Sequence, residues 1–321
     1  MTINLLTEDK HAEYEALNSE CGSIFNELNW LKIFDKKVKI FTLNNSVGEI
    51  TGGFYVYTDR IMGIKFVKCP PFTPTNGLFF KSNTTNQARI ASDLKNLMSI
   101  IADFYNRNGF GIIRVSFPSN FIDFQSFIWK KYKVVPNYTY IHDLNKPVAE
   151  LLSAFSPEKR NEIKRVEKDN IIVTQEWDYS IINELIINTF RRNKVNYNRQ
   201  ILERILTEFS KPGNSFAFIA KNEKGILAYS YCIHDKHTSF YLFGGNSYEN
   251  RHIGAGSATL WECIKKAKML GLQKFDFEGS MNKQIEQYFR GFGGNLTPYY
   301  TINKANILLE LALTFYKREY F

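Results

Sequence analysis

Along this chain the spacing of apolar and polar positions changes period several times, and each change marks an element. After an apolar-periodic segment, "SIFNELNWLKIF", the stretches "VKIFTLN", "EITGGFYVYT" and "IKFVKCPPF" alternate in the manner of half-buried strands. "CPPFTPTNG" has to be a loop, because Pro70, Pro71 and Pro74 supply no ladder donors. The period then lengthens to that of an amphipathic helix across "NQARIASDLKNLMSIIADFYNRNG", closed by Gly109. A strand "GIIRVSF", a helix "DFQSFIWKKY" and a strand "PNYTYIHDL" complete the run.

The end of the chain has the same order. "NRHIGAGSATLWECIKKAKMLG" reads as a helix closed by a glycine, "LQKFDFE" as a strand, "NKQIEQYFRGFGG" as a second helix and "TPYYTI" as a strand opened by Pro298. Matching Asn86 to Asn250 and Pro136 to Pro298 needs an offset of roughly 160 residues each time, the size of one domain. The expected fold class is therefore α/β (α+β), built as two tandem units, each a mixed β-sheet flanked by helices. The division is expected at "LNKPVAELLSAFSPEKR", giving domains 1–145 and 146–321.

Composition narrows the partners. The 321 residues are 44% hydrophobic and 15% aromatic, enough apolar material for two cores. Lys and Arg (41) exceed Asp and Glu (32), for a net charge of +9, which favours an anionic partner: nucleic acid, a phosphate-bearing cofactor or an anionic lipid surface. The charge is spread in short groups, so a solvated basic surface accounts for it as well. Four cysteines without Cys-x-x-Cys spacing, and no signal-peptide pattern, point to a reducing cytoplasm. No run approaches the ~18 apolar residues that span a bilayer.

Candidate chemistry begins where the strand "SFYLFGGNS" gives way to a helix through "RHIGAG". A helix start offers unpaired N–H groups and a partial positive charge, and glycines let a phosphate come close to them. The Gly-x-Gly-x-x-Gly spacing of a dinucleotide fold and the Gly-Lys-Ser/Thr of a Walker loop are both missing. Arg251, His252, Ile253, Gly254, Ala255 and Gly256 instead match Arg/Gln-x-x-Gly-x-Gly/Ala, and so resemble the pyrophosphate signature of the GNAT acetyltransferase superfamily. The resemblance implies that amides from His252 to Gly256 cradle the diphosphate of coenzyme A while Arg251 adds charge. On that reading Gly254→Val abolishes binding and spares the fold. The first copy has "NQARIAS" at the same place, without a glycine, so a single cofactor site is expected, in the second half.

Two tandem GNAT-like halves with the site in the second resemble the FemABX family, through "SPEKRNEIKRVEKDNIIV", "FYLFGGNSYENR", "LWECIKKAKMLGLQKFDFEGS" and "YFRGFGG". Fem proteins transfer amino acids from tRNA to a peptidoglycan precursor, and many carry a coiled-coil arm. Nothing between Ile171 and Ser215 is long enough for such an arm, and the Arg251–Gly256 signature points to an acyl-coenzyme A donor.

Acyl transfer to an amine needs a base, an oriented carbonyl and a proton for the leaving group. Glu278, at the end of "KFDFEG", is the candidate base. Asp276, two residues earlier and on the same side of a strand, is its alternative or its support, and a strand-end ion pair would explain both carboxylates equally. Tyr288 lies where GNAT enzymes place the tyrosine that protonates the thiolate, although one tyrosine among 18 also suits packing.

Lys159 and Arg160, in a helix capped by Ser156 with Pro157 in its first turn, fall in the segment that lines the acceptor cleft of Fem-like proteins. With Arg191 and Arg192 they would suit an anionic acceptor, or form a solvated basic face. His234-Asp235-Lys236-His237 reads as a hairpin turn with no third ligand, so no metal is expected. The final "NILLELALTFYKREYF" is expected to pack on its domain, with peripheral membrane contact left open.

The expected protein is a cytoplasmic N-acyltransferase using acetyl-CoA or another acyl-CoA, with an amino sugar or peptide of envelope or polysaccharide synthesis as acceptor. The alternatives are a tRNA-dependent peptidyltransferase and a non-catalytic binding protein on the same scaffold.

Overall fold

The computed structural model describes residues 1–61, 63–279, 281–306, 309–311 and 313. The expectation for "NILLELALTFYKREYF" lies largely outside the described residues.

In chain order the first half holds β1 (Thr2–Leu5), α1 (His11–Cys21), α2 (Leu28–Leu31), β2 (Val38–Asn44), β3 (Ile50–Ile61), β4 (Ile64–Lys68), β5 (Phe79–Phe80), α3 (Gln87–Arg107), β6 (Ile112–Ser116), α4 (Gln125–Trp129) and β7 (Lys133–Asp143). The second half holds α5 (Val148–Ser153), α6 (Pro157–Lys168), β8 (Ile172–Glu176), α7 (Tyr179–Arg192), α8 (Arg199–Arg204), β9 (Ser215–Asn222), β10 (Gly225–His234), β11 (Thr238–Asn246), α9 (Ala255–Met269), β12 (Lys274–Asp276), α10 (Lys283–Arg290) and β13 (Asn295–Ala305). The repeated order helix, strand, helix, strand is present as α3-β6-α4-β7 and α9-β12-α10-β13.

The chain forms two compact units, Met1–Asn137 with Pro298–Phe321, and Tyr138–Thr297. In the first, β1, β2, β3 and β4 run antiparallel, β4 pairs parallel with β6 after α3 crosses over, and β13 closes the ladder against β6, Thr301 opposite Ser116. Its core gathers Phe54, Val67, Leu97, Ile101, Ile113, Phe117 and Ile302. In the second, β8, β9, β10 and β11 run antiparallel, β11 pairs parallel with β12 after α9, and β12 pairs with β7, Phe275 opposite His142. Its core gathers Leu151, Phe155, Phe216, Leu260, Ile264, Phe275 and Phe292.

The last strand of each repeat is thus laddered with a strand of the other repeat. The expected domains 1–145 and 146–321 differ from these units at two stretches: residues 138–145 go with the second unit, and the chain from Pro298 goes with the first. The ladder partners of β7 and β13 are the reason.

One landmark of the duplication shifts as well. Asn86 is the N-cap of α3, its side chain accepting from the Arg89 N–H at 3.0 Å. The N-cap of α9 is Gly254, and Asn250 lies ahead of it in the preceding loop.

Candidate functional site

Helix α9 is buried on several sides: Ala255, Ser257, Thr259, Leu260, Trp261, Cys263, Ile264 and Ala267 are all shielded. It packs on β9, β10 and β11 and on α6. Such a helix cannot carry bulky groups where it enters the layer. A Cβ on Gly254 would stand 2.1 Å from the backbone oxygen of Glu162 on α6, and one on Gly256 would stand 2.7 Å from Asn246 Oδ1 at the end of β11. The glycines therefore permit the approach of protein to protein. Gly254→Val is therefore expected to disturb the packing of α9 on α6, a correction to the expectation from sequence that it spares the fold, because the clash is with main chain.

The amides at this mouth are shared out. The Gly254 N–H donates to His252 Nδ1 at 3.2 Å, which puts the ring proton on Nε2, 3.0 Å from Asp169 Oδ2. Hydrogen bonds from His252 and Arg165 hold the Asp169 carboxyl below its ordinary range. The Ala255 N–H reaches the His252 carbonyl at 3.4 Å. Among the described residues the N–H groups of Gly256 and Ser257 have no protein acceptor. Arg251 lies over the Tyr248 ring at 4.6 Å, and Ile253 is exposed. The open amide pair thus sits at the downstream edge of the Arg251–Gly256 signature.

Beneath the mouth lies a buried polar group. Lys159 and Glu162, 8% and 7% exposed, form an ion pair at 2.8 Å. The same carboxylate oxygen accepts from Ser257 Oγ at 2.5 Å. The Lys159 ammonium lies 4.5 Å from the centroid of the Tyr288 ring on α10. Burial raises the Tyr288 phenol pKa, against a hydrogen bond with Ser257 that lowers it.

Strands β11 and β12 are parallel only from Thr238 to Phe240 and Lys274 to Asp276, and β11 then runs on to Asn246 paired with β10 alone. Near this divergence β11 bulges: Tyr231 pairs with Phe243 and Cys232 with Tyr241, leaving Leu242 as the extra residue. At the end of β12, Asp276 Oδ1 accepts from Thr139 Oγ1 at 2.6 Å and from the Glu278 N–H at 2.9 Å, while the Gly279 N–H donates to Thr139 Oγ1. This clamp holds Glu278 in the left-handed region, φ 64°, a strained place for a residue with a side chain. The strand stops at Asp276, so the alternation argument that put both carboxyls on one side does not reach Glu278. Desolvation raises both carboxyls, and Asp276 pushes Glu278 further, well above its ordinary value.

The profile of the acetyltransferase (GNAT) domain family matches residues 160–290. The second unit is a GNAT fold. No curated protein matches the sequence. Among solved structures, FemX aligns with TM-score 0.67 at 13% identity, covering 94% of this chain and 97% of its own. L-PGS from Bacillus licheniformis aligns with TM-score 0.57 at 12% identity, covering 98% and 97%. A tandem GNAT protein from the clavulanic acid biosynthesis pathway, solved without AcCoA, aligns with TM-score 0.52 at 9% identity, covering 95% and 98%. At these identities the likeness is one of fold, and it extends over the whole chain.

Within the GNAT unit the residues singled out from sequence fall into two groups. Tyr288 and Lys159 meet at Ser257 and Glu162, while Arg192 donates to the Asn246 carbonyl at the end of β11 at 2.6 Å. Asp276 and Glu278 form the second group, at the end of β12. Arg160 stands apart, donating to the carbonyls of Ser153 and Phe155 at 2.8 Å each, and Arg191 is exposed at the end of α7. Glu162, Ser257, Asn246 and Thr139 were not legible as site residues. Glu162 follows Lys159 at helical spacing, a weak local signal, whereas Thr139 meets Asp276 across 137 residues.

His234 to His237 form the hairpin turn between β10 and β11, with Asp235 Oδ1 accepting from the His237 and Thr238 N–H groups. Among the described residues no three His, Cys, Asp or Glu side chains gather to hold a metal ion, and no helix is long and apolar enough to cross a membrane. The first unit differs from the GNAT unit at the corresponding place: Asn76 N–H donates to the Ser116 carbonyl where β4 and β6 part, and Asn86 caps α3.

Proposed function

We propose that the chain is an acyltransferase of cell-envelope or polysaccharide synthesis, moving an acyl group from an acyl-CoA to the amine of an amino sugar or peptide in the cytoplasm. The observation that carries this reading is the free edge of β11 beyond Phe240, leading to the unpaired amides of Gly256 and Ser257. A strand edge takes the amide groups of a pantetheine arm, and a helix start takes its diphosphate. Tyr288, held against Ser257 at that helix start, is the acid, and Glu278 is the base.

The neutral amine attacks the thioester carbon, so that a C–N bond forms as the C–S bond breaks. Glu278 takes the proton of the new ammonium, directly or through water, and its raised pKa suits it to that task. The leaving thiolate takes the phenolic proton of Tyr288, and solvent restores both groups. Asp276 is a positioning residue: its carboxylate is spent on Thr139 and on the Glu278 backbone.

The test is a thermal-shift screen against acetyl-, succinyl- and long-chain acyl-CoA, followed by thiol release with a panel of amines. Donor at a hundred times its dissociation constant stabilises the fold by about 2.7 kcal/mol. Tyr288→Phe and Glu278→Gln each lower kcat by about 10²-fold with donor affinity kept. Absence of stabilisation by every acyl-CoA overturns the donor. Activity lost on ribonuclease treatment makes the donor an aminoacyl-tRNA, and binding without turnover makes the unit a binding module.

A further inference from the structure

We propose that the surface around α4 in the first unit docks reversibly on an anionic lipid bilayer. The segment that follows β6 is nailed to the core by Phe121, Phe124 and Phe127, with Phe117 edge-on to Phe124 and Phe127 at 5.2 and 5.4 Å. Around these anchors three large apolar side chains stand in solvent: Ile122, between Phe121 and Phe124, at 73%, and Ile128 and Trp129, just after Phe127, at 54% and 65% exposure. Ile128 and Trp129 share a face of α4 with Gln125, opposite the buried Ser126 and Phe127. After them Lys131 turns sharply at φ 65°, and Tyr132 returns to the core, its hydroxyl donating to the Ala102 carbonyl at 3.1 Å. The tip is pinned on both sides and presents its apolar groups without room to fold them away.

The rim of this tip is cationic. Lys95 places its ammonium 5.1 Å from the Trp129 ring and 3.1 Å from Asp123, Lys130 pairs with Asp103 at 2.7 Å, and the exposed Lys131 follows in the chain. Three lysines against two aspartates leave the rim positive. A second copy of the chain would bring the same positive rim against it, which disfavours self-association. A bilayer with acidic headgroups offers what each group needs: acyl boundary for the isoleucines, the headgroup level for the indole and anionic charge for the lysines. Such a patch gives a reversible attachment, since stable anchoring takes two strong signals. It owes nothing to the chemistry of the second unit and stands or falls separately from the donor.

Co-sedimentation of the full chain with vesicles of phosphatidylcholine, with and without about 30 mol % phosphatidylglycerol, tests it. The chain is expected to bind the anionic vesicles and not the neutral ones, and to be released by about 0.5 M salt. Trp129→Glu, at an exposed position where the melting temperature should hold, lowers the partition about tenfold or more, since a buried aromatic is replaced by a charge. Val47→Glu, at another exposed apolar residue, leaves binding unchanged. Failure to bind anionic vesicles at low salt, or binding that Trp129→Glu leaves intact, overturns the proposal. So does a dimer in light scattering that the same substitution dissolves, which would give the patch to a second copy.

Discussion

Gly254→Ala is the sharpest test of how the α9 mouth is built. The added methyl would stand 2.1 Å from the Glu162 oxygen and 2.8 Å from its carbonyl carbon. Ordinary contact needs about 1.3 Å more, and neither side yields cheaply. Glu162 is tied to Lys159 and Ser257, and α9 is packed along most of its length. Overpacking of this kind costs about 3 kcal/mol, the upper part of the usual range, because the obstacle is main chain. For a unit of this size that lowers the melting temperature by about 6–12 °C. Gly213→Ala is the control: a Cβ there meets nothing within 4 Å, so the protein should hold or gain about 0.5 kcal/mol. Urea unfolding of both variants, read at the midpoint, decides. A Gly254→Ala midpoint equal to that of the native chain would refute the packing argument. If it came with weakened acyl-CoA binding, the glycine would serve the phosphates instead.

Lys159→Met leaves the Glu162 carboxylate buried without its cation and should cost about 3–5 kcal/mol, with Lys159→Met/Glu162→Gln recovering much of it; additive losses in the double-mutant cycle would show that the pair is not coupled. Stability should also depend on pH in two opposed ways. His142, between the Phe155 and Phe277 rings at 5.9 and 5.7 Å, is pushed down to about 4 by burial. The unfolded chain takes up the proton below pH 6.5 while the folded chain refuses it, so stability falls as pH drops from 6.5 towards 4, by about 3 kcal/mol at full extent. His142→Gln should flatten that limb. Glu278 is raised well above 4.5, so its contribution is full below pH 4.5 and is lost as pH rises through the folded value. Glu278→Gln should match the native chain at pH 4 and exceed it in stability at neutral pH. Urea midpoints across pH 4–8 check both, and unchanged slopes in the variants would refute them.

Much of the fold was legible because its elements carry their own periods. The amphipathic stripe of α3, the alternation of β2 and the hairpin signal at Asp235 all survive in the structure. Helix α1 was missed because its residues show little apolar period, and only Tyr14 and Asn18 are buried. The segment "SIFNELNWLKIF" divides into short turns, Ile24–Asn26, α2 and Lys32–Lys37, where Glu27 is extended and Asp35 has φ 50°. At the candidate site, Tyr288, Lys159, Asp276 and Glu278 were singled out by residue type and position. Ser257 meets Glu162 across 95 residues, and no local pattern marks that distance.

By itself, then, the chain determined the repeated order of helix, strand, helix and strand in its two halves and the glycine-bearing helix start, since both are written in local spacing and residue type. Only the tertiary structure decided that β13 ladders with β6 and β7 with β12, that Gly254 is needed by α6, and that Asp276 holds Glu278 in a strained turn. The physical reason is that a period tells which face of an element is apolar. Backbone donors and acceptors are the same in every strand, so the choice of partner is left to how the assembled side chains pack.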